Sequence, residues 1–207
     1  AASLVPGPFH GAYRLTGGRH LDEIHAWADG LGVSRSLLVT MQCMYELSHL
    51  DPMRPSQGCT AGGRWVDGFG MVHLRTPDWN LPAIAAATRL FVFRRGTRRR
   101  YVVGMPGLVG ALSGMVPGGY SVTINWAPPA ALPFFHAGPL FELRRTLEEC
   151  DTYTEAVERL RATPLASSVF FTVCGVGRGE ACVIERVKTG WIGGHHARVR
   201  ASGEAVV

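Results

Sequence analysis

No CxxC pair occurs in this chain, and its five cysteines (Cys43, Cys59, Cys150, Cys174 and Cys182) are odd in number and irregularly spaced. That pattern argues against a disulfide framework and against a structural zinc site. No apolar run reaches the roughly 18 residues that a membrane-crossing helix requires, so none is expected. A charged segment leading into a short apolar stretch and a cleavage site is missing too, so no signal peptide is expected within these residues. The chain begins with Ala rather than Met, so an upstream piece removed earlier stays open. The compartment stays open as well: a soluble cytoplasmic protein is slightly preferred over a secreted or lysosome-like one. Charged residues are few, at 18%, against 46% hydrophobic, which excludes a disordered chain.

The net charge of +5 is modest, and part of it lies in "RRGTRRR" at 94–100. This cluster is expected to be a solvated hairpin tip, the alternative being attraction to an anionic lipid or nucleic acid. Without an aromatic ladder or a recognition-helix pattern, nucleic-acid binding is not expected. There is no internal repeat, low-complexity segment or separating linker. The 207 residues therefore predict one domain, able to bury roughly 70% of its extended surface.

Hydrophobic spacing predicts a short helix in "RHLDEIHAWADGLG", stopped by Gly30 and Gly32. A second, capped by Ser34, runs through "SRSLLVTMQCMYELSHL" with Leu37, Leu38, Met41, Met44, Tyr45 and Leu50 on one stripe. Two prolines then break the chain in "DPMRPSQG". From Cys59 the period becomes strand-like. "CTAGGRWV" and "FGMVHLR" make a hairpin turning at Asp67-Gly68, and "TRLFVFRR" and "RRRYVVGM" make another turning at Gly96. "YSVTINWA" is a further strand. Helices "PLFELRRTLEEC" and "TYTEAVERLRAT" follow, the latter opened by a Thr152–Glu155 capping box. Strands "SSVFFTVCGV" and "EACVIERV" come last, joined across "GRGE". Hairpins around a helical pair indicate α+β with antiparallel sheets, not a parallel array.

Cys59 is the exceptional cysteine, because it lies among glycines and polar residues while the other four lie in apolar or helical runs as small buried hydrophobes. A thiol nucleophile needs a base. The eight histidines are scattered, and none stands in a motif like that of papain-like proteases. Adjacent His195 and His196 point apart on a strand, so a metal site there is not expected. Another device uses the cysteine's own backbone amine, freed by cutting the bond before it. The Gly58-Cys59 junction suits this, since glycine tolerates strained backbone and shields little. A hairpin turning at Asp67-Gly68 brings Arg75 and Asp78 back beside Cys59, where a guanidinium and a carboxylate would tune thiol and amine. The alternative for both residues is a surface ion pair at a strand end.

"GCTAGG" followed by "GMVHLRTPDWN" resembles the start of the choloylglycine-hydrolase branch of the N-terminal-nucleophile hydrolases. That branch holds the choloylglycine hydrolase, penicillin V acylase, acid ceramidase and N-acylethanolamine acid amidase families. "LLVTMQCMYELSH", "GMPGLVGALSGMVPGGYSVTINWAP" and "SSVFFTVCGVGRGEACVIER" are similar to further segments of it, so the resemblance runs from about Leu37 to Arg186. It implies a four-layer αββα sandwich with antiparallel sheets, expected to be incomplete at the C-terminus. Residues 1–58 would be a helical segment ahead of the nucleophile and 59–207 the catalytic part, together one structural domain. The resemblance also implies Cys59 as nucleophile and base, Arg75 contacting it, Asp78 holding the amine, Asn125 in the oxyanion hole, and cleavage between Gly58 and Cys59. For Asn125 the alternative is a strand-end residue satisfying local backbone.

The implied reaction is hydrolysis of a linear amide bond in a small-molecule N-acyl amide, with no cofactor and no metal. Crowded apolar residues in "MQCMYEL", "WNLPAIAAATRLF" and "PPAALPFFHAGPLF" suggest a lipophilic acyl chain. An acyltransferase using the same acyl-enzyme, or an inactive paralogue binding lipids or a partner, are the alternatives. A homo-oligomer stays open. In the family an asparagine and an arginine follow a strand like "GEAVV", so the natural chain is expected to continue past Val207.

Overall fold

A computed structural model describes Tyr13 and residues 19–49, 58–78, 86–128, 136–190, 194–201 and 205–206. The first element is α1, Leu21–Leu31, which ends on Gly32 in the left-handed conformation (φ 67°) with its N–H returned to the last turn. Ser34 caps α2, Arg35–Gln42, by accepting from the Leu37 N–H at 3.4 Å. The predicted single helix breaks at Cys43 and resumes as α3, Met44–Ser48. This break re-aims the apolar stripe. Leu37, Met41 and Met44 are exposed, while Leu38, Val39 and Tyr45 are buried; Leu50 lies outside the described residues. Gln42, absent from the predicted stripe, is buried instead. Its amide donates to the Leu38 carbonyl at 3.1 Å and the Gly107 carbonyl at 2.7 Å and accepts from the Val109 N–H at 2.8 Å, so both donors and the oxygen have partners.

The strands β1 (Gly58–Val66) and β2 (Gly70–Asp78) form the predicted hairpin. It closes at the Val66–Gly70 pair over Asp67-Gly68-Phe69, where Gly68 has φ 82°, a left-handed value that glycine adopts without strain. A short β10, Ala205–Val206, pairs with β1 to give a three-stranded antiparallel sheet in the order β10-β1-β2.

A second antiparallel sheet carries the strands in sequence order: β3 (Arg89–Arg95), β4 (Arg98–Gly104), β5 (Ser113–Val116), β6 (Tyr120–Trp126), β7 (Val169–Cys174), β8 (Ala181–Lys188) and β9 (His195–Ala201). The four-residue β5 was not legible as a strand. The sheets approach closely where β1 crosses β6–β8. A Cβ at Gly63 would come within 2.1 Å of the Cys174 sulfur, so glycine is required there.

On the other face of the large sheet lie α4 (Pro139–Glu149) and α5 (Tyr153–Ala162), the latter with the predicted reciprocal capping box of Thr152 and Glu155. Between them and the sheet sits the main core, with Val122, Ile124, Leu143, Leu160, Phe171 and Ile184 almost completely buried. Each such side chain contributes about 1.5–3 kcal/mol by leaving water. Thus the α+β class and antiparallel sheets agree with expectation, and the described residues supply three layers: helices, large sheet, small sheet. On the far face of the small sheet, Thr60, Arg64, Leu74 and Thr76 are exposed.

Candidate active site

Because paired residues on antiparallel strands share a face, the β1–β2 register places Cys59 with Pro77, Ala61 with Arg75 and Gly63 with His73 on the inner side of the small sheet. Arg75, two residues further along that face, donates from Nη2 to the Cys59 sulfur at 3.4 Å. Its Nε is buried with no hydrogen-bond partner among the described residues. Asp78 is paired with Gly58, and its Oδ2 lies 3.6 Å from where a Cβ on Gly58 would stand. The carboxylate therefore sits beside the Gly58-Cys59 peptide bond. That contact is an ordinary one, and Gly58 is not in the left-handed region. Glycine suits the junction without being required by it, since a Cβ would fit there.

Asn125 comes from the other sheet, near the end of β6, and its Nδ2 donates to the Cys59 carbonyl oxygen at 3.2 Å. Pro77, across from Cys59, has no N–H to offer that carbonyl. The hydrogen bond is thus inter-sheet rather than the local backbone contact that a strand-end residue would make. An amide NH2 has two donors, so one remains beyond this bond. The Oδ1 of Asn125 is buried with no hydrogen-bond partner among the described residues. Arg75 and Asn125 meet Cys59, whereas Asp78, exposed and paired with Gly58, stands next to the residue before it and one position out of phase with their face.

Sequence reasoning missed His73. It shares the inner face with Arg75, and its two ring nitrogens contact Ser121 Oγ at 2.8 Å and Thr123 Oγ1 at 3.3 Å on β6. Burial, then the nearby Arg75 charge, pushes its pKa down to about 4, so the ring is neutral and ties the sheets beside Arg75. The period-two alternation from Arg75 was the signal that could have found it.

The thiol of Cys59 differs from its neighbours in surroundings. Burial pushes Cys43 and Cys174 up to about 12 and raises Cys150 and Cys182, so these four remain thiols at neutral pH. All five are free; Cys150, Cys174 and Cys182 are buried, while Cys43, expected to be buried, is half-buried like Cys59. The helix α3 packs at the same end of β6. Tyr45 donates its hydroxyl to the Ser168 carbonyl at 3.0 Å, His49 Nε2 meets the Ala127 carbonyl at 3.0 Å, and Trp126 Nε1 donates to Ser48 Oγ at 3.3 Å. Of the apolar segments expected around the nucleophile, 79–85 and 129–135 lie outside the described residues.

No group of three His, Cys, Asp or Glu side chains placed to hold a metal ion occurs among the described residues. His195 faces the helix layer, where its Nε2 accepts from the Leu165 N–H at 3.1 Å, and His196 is exposed, so the pair does point apart. No helix among the described residues is long and apolar enough to cross a membrane.

Two face-to-face antiparallel sheets with a cysteine opening the first strand of the smaller one define the architecture of an N-terminal-nucleophile hydrolase. The solved structure of the Caenorhabditis elegans N-acylethanolamine-hydrolyzing acid amidase ortholog shares the fold, with a TM-score of 0.55 at 20% identity over 70% of this chain and 67% of that one. In sequence, the chain is 27% identical over 177 residues to the N-acylethanolamine-hydrolyzing acid amidase of C. elegans, covering 80% of this chain and 50% of that protein. The chain thus spans about half the length of the curated relative it matches. No family model matches it. In sequence and in fold, the chain is thus similar to an N-acylethanolamine acid amidase.

Proposed function

We propose that this chain carries the nucleophile half of a cysteine amidase that hydrolyses linear C–N bonds of N-acyl amides, and that Cys59 becomes the catalytic residue when the bond before it is cut. The observation that carries the proposal is the convergence on Cys59 of Arg75 at the sulfur and Asn125 at the carbonyl, with Asp78 paired to the preceding Gly58. In maturation the Cys59 sulfur attacks the Gly58 carbonyl carbon and the C–N bond breaks as the amine takes a proton. Water then opens the resulting thioester, leaving a Gly58 carboxylate, a free thiol and a free amine. In catalysis that amine takes the thiol proton, the thiolate attacks the substrate carbonyl, and the protonated amine delivers the proton to the leaving amine. Water finally releases the acid. Asp78 holds the new ammonium, Arg75 holds the thiolate, and the spare donor of Asn125 faces the oxyanion.

Residues 1–58 and 59–207 would then be two pieces of one domain. Their cohesion is supported by the contacts of α2 and α3 with Gly107, Val109, Ala127 and Ser168. A lipophilic acyl group is supported by the N-acylethanolamine in the name of the C. elegans relative and by the apolar composition of the sequence segments "MQCMYEL", "WNLPAIAAATRLF" and "PPAALPFFHAGPLF".

Intact-protein mass spectrometry and hydrolysis of N-acyl amides of rising chain length test this. The expected result is cleavage between Gly58 and Cys59, a specificity constant that rises with acyl length, and one uncut, inactive chain for Cys59→Ala. Hydrolysis by an uncut chain would overturn it.

A further inference from the structure

On the inner face of β6, Ser121, Thr123 and Asn125 follow one another at alternate positions, while Tyr120, Val122 and Ile124 turn into the helix-side core. Asn125 meets the Cys59 carbonyl. The other two meet a single ring, that of His73 on β2, through Nδ1 to Ser121 Oγ at 2.8 Å and Nε2 to Thr123 Oγ1 at 3.3 Å. The register pairs His73 with Gly63, and Gly63 packs against the Cys174 sulfur on β7 with no room for a Cβ. At this level of the hairpin, four residues along β1 from Cys59, close packing and hydrogen bonds together hold it on the large sheet.

The hydroxyl donors fix which ring nitrogen carries the proton. Ser121 has one hydroxyl hydrogen, and it donates to the Cys174 carbonyl at 3.4 Å, a group that can only accept. Toward His73 the Ser121 oxygen therefore accepts, so Nδ1 bears the ring hydrogen. Nε2 is then the acceptor, and the Thr123 hydroxyl donates to it. The groups form a directed chain, from Thr123 to His73 to Ser121 to the Cys174 carbonyl, which only the neutral Nδ1–H ring completes. Thr123 is buried, so an imidazolium there would leave its hydroxyl hydrogen without an acceptor among the described residues. The charged and titratable side chains on the elements packed here are Arg75 on β2, Cys59 on β1 and Cys174 on β7, whose thiol burial keeps neutral. The Arg75 guanidinium, two residues along the same face, further opposes a positive charge on the ring.

We propose that His73, held as the Nδ1–H tautomer, is a positioning residue: it pins the β1–β2 hairpin at one station along β6, which brings the Cys59 carbonyl to Asn125 and Arg75 to the Cys59 sulfur. Thr123 and Asn125 are about 7 Å apart along one strand, so a hairpin fixed at the first is aligned at the second. A slip of about 1 Å would stretch the 3.2 Å Asn125 bond past hydrogen-bonding reach. Acid breaks the pin, because a second proton on the ring removes the acceptor of Thr123 and sets a cation beside Arg75. The effect on rate rests on the role proposed for Cys59, whereas the tautomer and the pin do not.

The test has two arms. In the first, heteronuclear NMR of the histidine rings is recorded on the full chain carrying Cys59→Ala, and the His73 signals are identified by their loss in His73→Gln. The expected result is a proton on Nδ1 and a bare Nε2 at neutral pH, the reverse of an unrestrained imidazole. A proton on Nε2 at neutral pH would overturn the proposal. In the second arm, self-cleavage of the chain with Cys59 intact is timed by mass spectrometry. His73→Gln keeps a donor and an acceptor but no titratable group, and should cleave within about threefold of wild type at about pH 6. His73→Leu, with neither, should be about tenfold slower. The ratio of wild-type to His73→Gln rate should then fall about fourfold by about pH 3.5, because burial and the Arg75 charge hold the ring's pKa at about 4. A ratio that does not change with pH, or a His73→Gln protein as slow as His73→Leu, would overturn the proposal. If wild-type protein is cut at no pH, the amidase reading fails and the NMR arm alone decides the pin.

Discussion

Replacing Glu46 by Gln should make the protein's stability less dependent on pH, and the size of the effect follows from where the carboxyl sits. Glu46 lies on α3, and its Oε1 is buried without a hydrogen-bond partner in the room beside Gly138. Tyr13, Cys43 and Tyr45 surround it, and none of them offers a positive charge. Burial therefore raises its pKa from 4.5 to about 7. The folded state holds this proton across a window in which the unfolded chain has lost it. Stability from the group is complete below about 4.5 and is lost as pH rises through 7. The interval corresponds to about 3 kcal/mol in all, and to about 2–3 kcal/mol between pH 5 and 8. His73 and His195, both pushed down to about 4, act in the opposite sense: their contribution is present above the ordinary histidine pKa and lost as pH falls through 4. Both are common to wild type and variant, so the difference isolates Glu46. Urea denaturation of the two proteins at each pH, in a Cys59→Ala background that keeps one chain and a two-state transition, gives the number. Glu46→Gln should gain about 2–3 kcal/mol on the wild type between pH 5 and 8. A difference that does not change with pH would refute the reasoning.

Three further substitutions probe the site. Asn125→Ala removes the hydrogen bond to the Cys59 carbonyl and the spare donor, so turnover should fall about 10²–10³-fold, measured as kcat on an N-acyl amide. His73→Leu leaves Ser121 and Thr123 without their inter-sheet partner and should cost about 1–3 kcal/mol in urea denaturation, with a smaller effect on the rate of self-cleavage than Asp78→Asn. Gly58→Ala should still be cut at an unchanged position by mass spectrometry, because a Cβ there makes only ordinary contact with Asp78.

Local chemistry made much of this legible in the sequence. The Asp67-Gly68 turn fixes the β1–β2 register, and the register alone carries Arg75 and Asp78 back to Cys59. The Thr152–Glu155 capping box and the glycine ending α1 are likewise properties of a few adjacent residues. Three features could come only from tertiary structure. The break at Cys43 and the burial of Gln42 depend on backbone groups at 107–109, far along the chain, which outweigh the helical stripe that local spacing favoured. Asn125 on the Cys59 carbonyl and His73 on Ser121 and Thr123 are contacts between sheets, and their pairing is set by how β1 crosses β6, a packing that no spacing encodes. The arginine cluster was visible as a run of charge, but that Arg98 and Arg100 turn to Asp151 on the helix side follows from strand pleat and from which face the helices cover.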